Sequence, residues 1–146
     1  MVWNDFSRFN SIHVNDSSTA LAPIELFRIL IDEELLPWEE AFRIVFDSTT
    51  FTQHSLHMAK DKWPCELLER VLPRHLELIF KINFFMLQDF KDRVDFHTLS
   101  KLSLVEEYPI KQIRFSNLSF VMSHLVNGLS EMHVLQMKLE LYKELN

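Results

Sequence analysis

WPCELLERVLPRHLELIFKIN, running from Trp63 to Asn83, places one proline behind a tryptophan and a second ahead of Arg-His. Proline has no N–H to give a preceding turn, yet it fits the first turn of a helix, where that donor has no partner. The stretch therefore reads as two helices, each opened by a proline. The first is short, Cys65 to Val71, and the second starts at Pro73 and reaches about Lys91. Along the second, Leu76, Ile79, Phe80, Asn83 and Leu87 form one stripe, and Leu78, Ile82 and Phe85 add another. Two stripes predict a helix buried on most of its circumference, which a single neighbouring layer could not cover. The chain must pack several elements around it.

Working upstream, Ile12 and Val14 alternate with polar residues and end at Asn15-Asp16-Ser17-Ser18, a strand followed by a polar loop. Pro23 suits the first position of a helix whose Leu26, Phe27, Leu30 and Ile31 share one face, running to about Glu34. Pro37 opens another, with Trp38, Ala41, Phe42 and Val45 inward. Ser48 to Thr52 is β-branched and aromatic and predicts a short strand leading to Gln53-His54. Downstream, Leu102–Glu106 and Lys111–Phe115 read as a hairpin around Tyr108-Pro109, without a Gly or Asn turn. A helix from about Asn117 and a last one after Ser130 close the chain. The order β-α-α-β-α-α-β-β-α-α is a helix-dominated α/β arrangement with a few short strands and a small hairpin.

The 146 residues, 47% hydrophobic and 25% charged, have the composition of a globular protein. A formal charge of −6 argues against nucleic acid as a partner, which calls for clustered positive charge. No apolar run approaches the ~20 residues of a membrane span. The N-terminal MVWNDFSRFN lacks the apolar core of a signal peptide. With Cys65 as the only cysteine, no internal disulfide can form, and a reducing cytoplasm is expected. A single glycine stands where average usage of ~7% would supply about ten, so positive-φ turns must fall to other residues.

The Trp63–Asn83 run resembles the α-glucan (glycogen/starch) phosphorylase family. The resemblance continues upstream through IHVNDSSTALAPIELFRILIDEELLPW (Ile12 to Trp38) and downstream through SLVEE (Ser103 to Glu107) and SHLVNG (Ser123 to Gly128). It implies a partial slice of a glycosyltransferase N-terminal domain: residues 1–11 form a poorly matched lead, and 12–146 a phosphorylase-like partial domain. Such enzymes transfer glucosyl units from α-1,4-glucans to phosphate, releasing glucose 1-phosphate, with pyridoxal phosphate held on a lysine in a Ser-Asn-Met-Lys context. That context is absent from this sequence, as is a glycine-rich phosphate loop. No cofactor is expected to bind this piece, no residue is assigned a catalytic role, and activity alone is not expected. The strands near Ile12 and Ser48 would ordinarily pair within a larger sheet, so partners such as an α-glucan or a phosphorylase subunit follow from the resemblance. The other reading is a non-catalytic helical interaction module.

Five residues are substrate-binding candidates by resemblance: Asp16, His54, His124, Asn127 and Gly128. Asp16 matches a cleft-lining Asn-Asp segment, although Ser18-Thr19 replaces the family's His-Pro. From its own position it is equally a turn aspartate capping a backbone N–H. His54, in TQHS, matches a histidine that meets the sugar's primary hydroxyl; its plain alternative is an imidazole hydrogen-bonded within the domain wall. His124, Asn127 and Gly128 belong to the SHLVNG patch beside the hydroxymethyl group. Gly128 suggests a close backbone approach or a positive φ, and Met122 puts bulk where the family has glycine. The histidines and Cys65 lack metal-ligand spacing. The paired glutamates read as solvated surface, Cys65 as a half-buried thiol without an activating neighbour, and Arg74-His75 as a helix anchor.

Overall fold

The computed structural model describes residues 3–54 and 61–129. A 3-10 turn (Trp3–Asp5) and the one-turn helix α1 (Phe6–Phe9) precede β1 (Ile12–Asn15). A second 3-10 turn (Ser17–Thr19) leads to α2 (Leu21–Arg28), which a π-helical turn (Ile29–Glu33) extends. Then come α3 (Trp38–Ser48), β2 (Thr49–Gln53), β3 (Lys62–Pro64), α4 (Cys65–Val71), α5 (Pro73–Phe90) and α6 (Phe96–Leu102). Strands β4 (Val105–Glu106) and β5 (Gln112–Arg114), helix α7 (Phe115–Val121) and strand β6 (Leu125–Gly128) complete the described chain. This is the helix-dominated α/β arrangement read from the sequence.

Two small sheets divide the work. One is parallel, in the order β1-β2-β6, with Asn15 beside Thr52 and Thr52 beside Asn127. The other is antiparallel, with β5 between β3 and β4. The expected hairpin is its β4–β5 pair, which turns through a cis Tyr108–Pro109 peptide. Helices α2 and α7 pack against the parallel sheet, whose Val14 and Phe51 are buried. The opposite side of that sheet, carrying His13, Asn15, Leu125 and Asn127, is open among the described residues.

The core joins α2, α3 and α5 through Ile24, Phe27, Leu30, Ala41, Val45, Leu78 and Ile79, with Leu104, Ile113, Phe115 and Leu118 beneath the hairpin. Phe27 meets Trp38 edge-on at 4.7 Å and Phe42 at 6.1 Å between ring centroids, a geometry favoured by the ring quadrupoles. Met122 lies fully inside this core. Its φ of −87° needs no glycine, so the position admits its bulk.

The Arg74-His75 pair anchors its helix, as read. Arg74 forks onto Asp32 with Nε–H and Nη2–H donating at 2.9 and 2.7 Å, so α5 is clipped to the π-helical turn. His75 Nε2 lies 2.7 Å from Glu25 on α2, which also takes two bonds from Arg28. The Arg28 guanidinium beside it is the main reason that the Glu25 carboxyl is held down to about 2; partial burial opposes this and His75 adds to it. The SLVEE patch is a second fastening. Glu106 pairs with Lys62 at 2.5 Å and Arg114 at 3.1 Å, and these cations, Lys62 foremost, outweigh desolvation and lower its pKa. Arg114 Nη1 and Asn117 Nδ2 donate to the last carbonyls of α6, which would otherwise lack partners.

Several expectations need correction. Helix α2 begins at Leu21, so Pro23 is its third residue, still within the turn whose N–H groups have no helical acceptor. The fully buried residues of helix α5 end at Ile82; Phe84 and Phe85 are exposed, while Met86 packs partly buried against the core. Phe85 meets Trp38 in a tilted contact at 5.4 Å and Phe84 edge-on at 5.6 Å between ring centroids. Helix α7 starts at Phe115 rather than Asn117. The helix expected after Ser130 lies outside the described residues.

Candidate functional site

All three strands of a parallel sheet run the same way, so their carboxyl ends share one edge, the place where open α/β sheets carry their ligands. Here that edge gathers Asn15-Asp16 after β1, Gln53-His54 after β2 and Asn127-Gly128 at the end of β6. The register makes this firm: Gln53 sits beside Gly128 and Thr52 beside both Asn15 and Asn127. Four of the five sequence candidates therefore meet at one edge.

Asp16 leaves β1 with φ 82° and ψ 147°, a backbone region costly for any residue with a Cβ. Its side chain accepts from Ser17 N–H at 2.8 Å and its carbonyl from Thr19 N–H at 3.3 Å, so the capping role is real. The Asp16 N–H donates to Thr52 C=O at 3.0 Å, which extends the ladder one residue past β1. The buried Ser17 hydroxyl donates to Asp61, bringing a second carboxylate beside the first. His54 is exposed, and its Nε2 lies 2.5 Å from Asn15 Oδ1. Asn127 is exposed on the same side of the sheet as Asn15 and Thr52.

His124 is elsewhere. It precedes β6, where its N–H donates to Thr49 C=O at the start of β2. Four residues at a strand's rise of ~3.3 Å separate it from Gly128 by roughly 13 Å. There its Nδ1–H donates to Phe46 C=O at 3.0 Å. Gly128 also departs from expectation: the chain has no positive-φ glycine, because Gly128 lies extended in β6 beside Gln53. The positive angles fall instead to Asp16 and to Leu35, whose φ is 55°. Leu35 follows the π-helical turn, with Leu36 N–H donating to Leu30 C=O at 2.9 Å, in the helix-ending motif where glycine is usual.

The sequence reading passed over Asn15, taken as the start of a loop, and Asp61 beside Trp63. Asn15 could have been found from register, since the residue beside Thr52 must flank the residue two beyond it. Lys62, next to Asp61 in the sequence, is held by Glu106, Lys81 by Glu77 and Lys111 by Glu107. No group of three or more His, Cys, Asp or Glu among the described residues could hold a metal ion. No described helix is long and apolar enough to cross a membrane.

The edge carries hydroxyl, amide, imidazole and carboxylate groups on a parallel sheet, and comparison with known proteins gives the class. The sequence model described as carbohydrate phosphorylase matches residues 1–146, and the chain belongs to that family. Among curated proteins it is similar to the glycogen phosphorylase of Saccharomyces cerevisiae, 41% identical over 146 residues. That alignment covers 97% of this chain and 16% of the yeast protein. The human liver form of glycogen phosphorylase is 37% identical, covering 98% of this chain and 17% of its own. The rabbit (Oryctolagus cuniculus) muscle form is 38% identical over 141 residues, with 92% and 16% covered. The chain thus resembles a part of glycogen phosphorylase and spans about one-sixth of the length of these relatives.

Proposed function

We propose that this chain supplies one wall of a sugar-binding cleft in α-glucan phosphorolysis and turns over substrate only with the remainder of a phosphorylase. The observation that supports it most is the meeting of Asp16, His54, Asn127 and Gly128 at the carboxyl edge of one parallel sheet. In this reading the amide of Asn127 and the imidazole of His54 contact sugar hydroxyls, and Asp16 forms a polar wall. His124, at the far end, takes no part. Pyridoxal phosphate and its lysine belong to the remainder, and the cytoplasm is the compartment.

Complementation tests this. The chain is co-produced with a phosphorylase lacking the matching segment, and glucose 1-phosphate release from glycogen is measured with phosphate and pyridoxal phosphate. Release is expected from the pair and from neither part alone. Turnover by the chain alone, or silence from a pair that co-purifies, would overturn the reading.

A second reading, a non-catalytic module that docks on a full-length phosphorylase, has its own support. Both outer strands, β1 and β6, have one side without a strand partner among the described residues, and such edges invite pairing. Capture of intact phosphorylase by the immobilised chain, without any gain in turnover, would favour it.

A further inference from the structure

We infer that Asn15 is a positioning residue that fixes the tautomer of His54, holding its proton on Nε2 and leaving Nδ1 as a hydrogen-bond acceptor for a ligand hydroxyl. Among the described residues, three histidines border the parallel sheet, and their partners differ in kind. His13 lies between two threonine hydroxyls, Thr50 Oγ1 at 2.9 Å from Nδ1 and Thr52 Oγ1 at 3.3 Å from Nε2. A hydroxyl both donates and accepts, so that pair selects no tautomer. His124 faces a backbone carbonyl, which only accepts, and its proton is therefore on Nδ1. His54 faces the Asn15 amide oxygen, also an acceptor only, through Nε2. The same rule gives it the opposite tautomer from His124, and the second nitrogen of a neutral imidazole then carries a lone pair.

The placement of Asn15 suits this role. It is the last residue of β1, paired in register with Thr52, so its backbone is fixed by the ladder while its side chain reaches the residue just past β2. A metal-free imidazole oriented by a neighbouring oxygen follows the logic by which outer partners set the tautomer of histidines elsewhere. The chemical consequence is selectivity. A neutral His54 with a lone pair at Nδ1 welcomes a group that donates, such as a sugar hydroxyl. It repels a group that only accepts, such as a phosphate dianion oxygen.

The ligand part of this inference rests on the sugar-wall reading; the tautomer part does not, and the experiment separates them. The full chain is labelled with ¹⁵N-histidine and the ring nitrogens are observed by long-range proton–nitrogen correlation above the imidazole titration range. His54 is assigned by the loss of its signals in His54→Gln. The native chain should show protonated Nε2 and pyridine-like Nδ1 at His54. Asn15→Ala should give a tautomer mixture there, and Asn15→Asp, which restores an acceptor oxygen, should recover Nε2–H. Protonated Nδ1 in the native chain, or an unchanged ratio in Asn15→Ala, would overturn the assignment. The native spectrum decides this even if a variant does not fold. Added maltoheptaose should then move the His54 Nδ1 resonance upfield, the direction of an accepted hydrogen bond, and inorganic phosphate should not. A His54 in the expected tautomer that ignores maltoheptaose would sink the sugar wall and leave the role of Asn15 standing.

Discussion

The helical block and the sheet edge are built on different terms. In the block, Arg74, His75, Glu25, Asp32 and Arg28 join α2, its π-helical extension and α5 through charge-assisted bonds beside a dry core. At the edge, Asp16, His54 and Asn127 stand at strand ends, His54 and Asn127 exposed and Asp16 with a costly backbone angle. The residues of the WPCELLERVLPRHLELIFKIN run work as fastenings. The candidate site residues lie elsewhere, on the ends of strands that helices α2 and α7 pack against. A fingerprint for ancestry and a site for chemistry are here two separate properties of one chain.

The largest blow to this contrast comes from the block's interior. Ile79→Ala removes a fully buried side chain and should cost about 2–5 kcal/mol, read as a lower urea midpoint at constant m-value. Arg74→Ala deletes the fork onto Asp32 and should cost about 1–2 kcal/mol; a double-mutant cycle with Asp32→Ala isolates the pair. A smaller effect appears in acid. Because the folded Glu25 carboxyl is depressed to about 2 from an ordinary 4.5, its contribution is complete above the ordinary value. It fades as pH falls towards about 2. The carboxylate is 44% exposed, so solvent screening keeps the effect below about 1 kcal/mol. Glu25→Gln should flatten that part of the stability–pH curve. The smallest effect belongs to the edge: Asn127→Ala, at an exposed position, should leave stability within about 0.5 kcal/mol. A large loss there would show that the edge also carries the fold, and the contrast would fail.

Sequence reasoning followed the block closely because proline punctuates it. The short helix from Cys65 to Val71 and the long one from Pro73 stand where the prolines and apolar stripes put them. It missed β3, three residues ending in proline with no alternation to see, and β6, whose LVNG is half exposed. It also missed α6, although Asp95 three residues before Thr98 is a helix-start signal, and that carboxylate does accept from Thr98 N–H at 2.8 Å. Overlooking β6 mattered most for the site. SHLVNG looks like one patch when read as letters; as an extended strand it carries His124 and Gly128 to opposite ends of the sheet. Asp16 and His54 were readable because each directly follows a strand that alternation or β-branching revealed. Their meeting with Asn127 depended on pairing between distant segments, which no local pattern encodes.

His13 bears on how the chain could exist apart from its family's larger architecture. Sheets of parallel strands ordinarily have both faces roofed by helices, and an unroofed one would be expected to be greasy and adhesive. Among the described residues this one is lined largely by an imidazole bridging two threonine hydroxyls, with asparagines at its rim and the half-exposed Leu125 as its apolar member. Water can wet such a surface without stripping any group of its partner. The polar part of this flank is thus readily wetted, and self-association, if it occurs, should begin at Leu125 or at the outer strands β1 and β6.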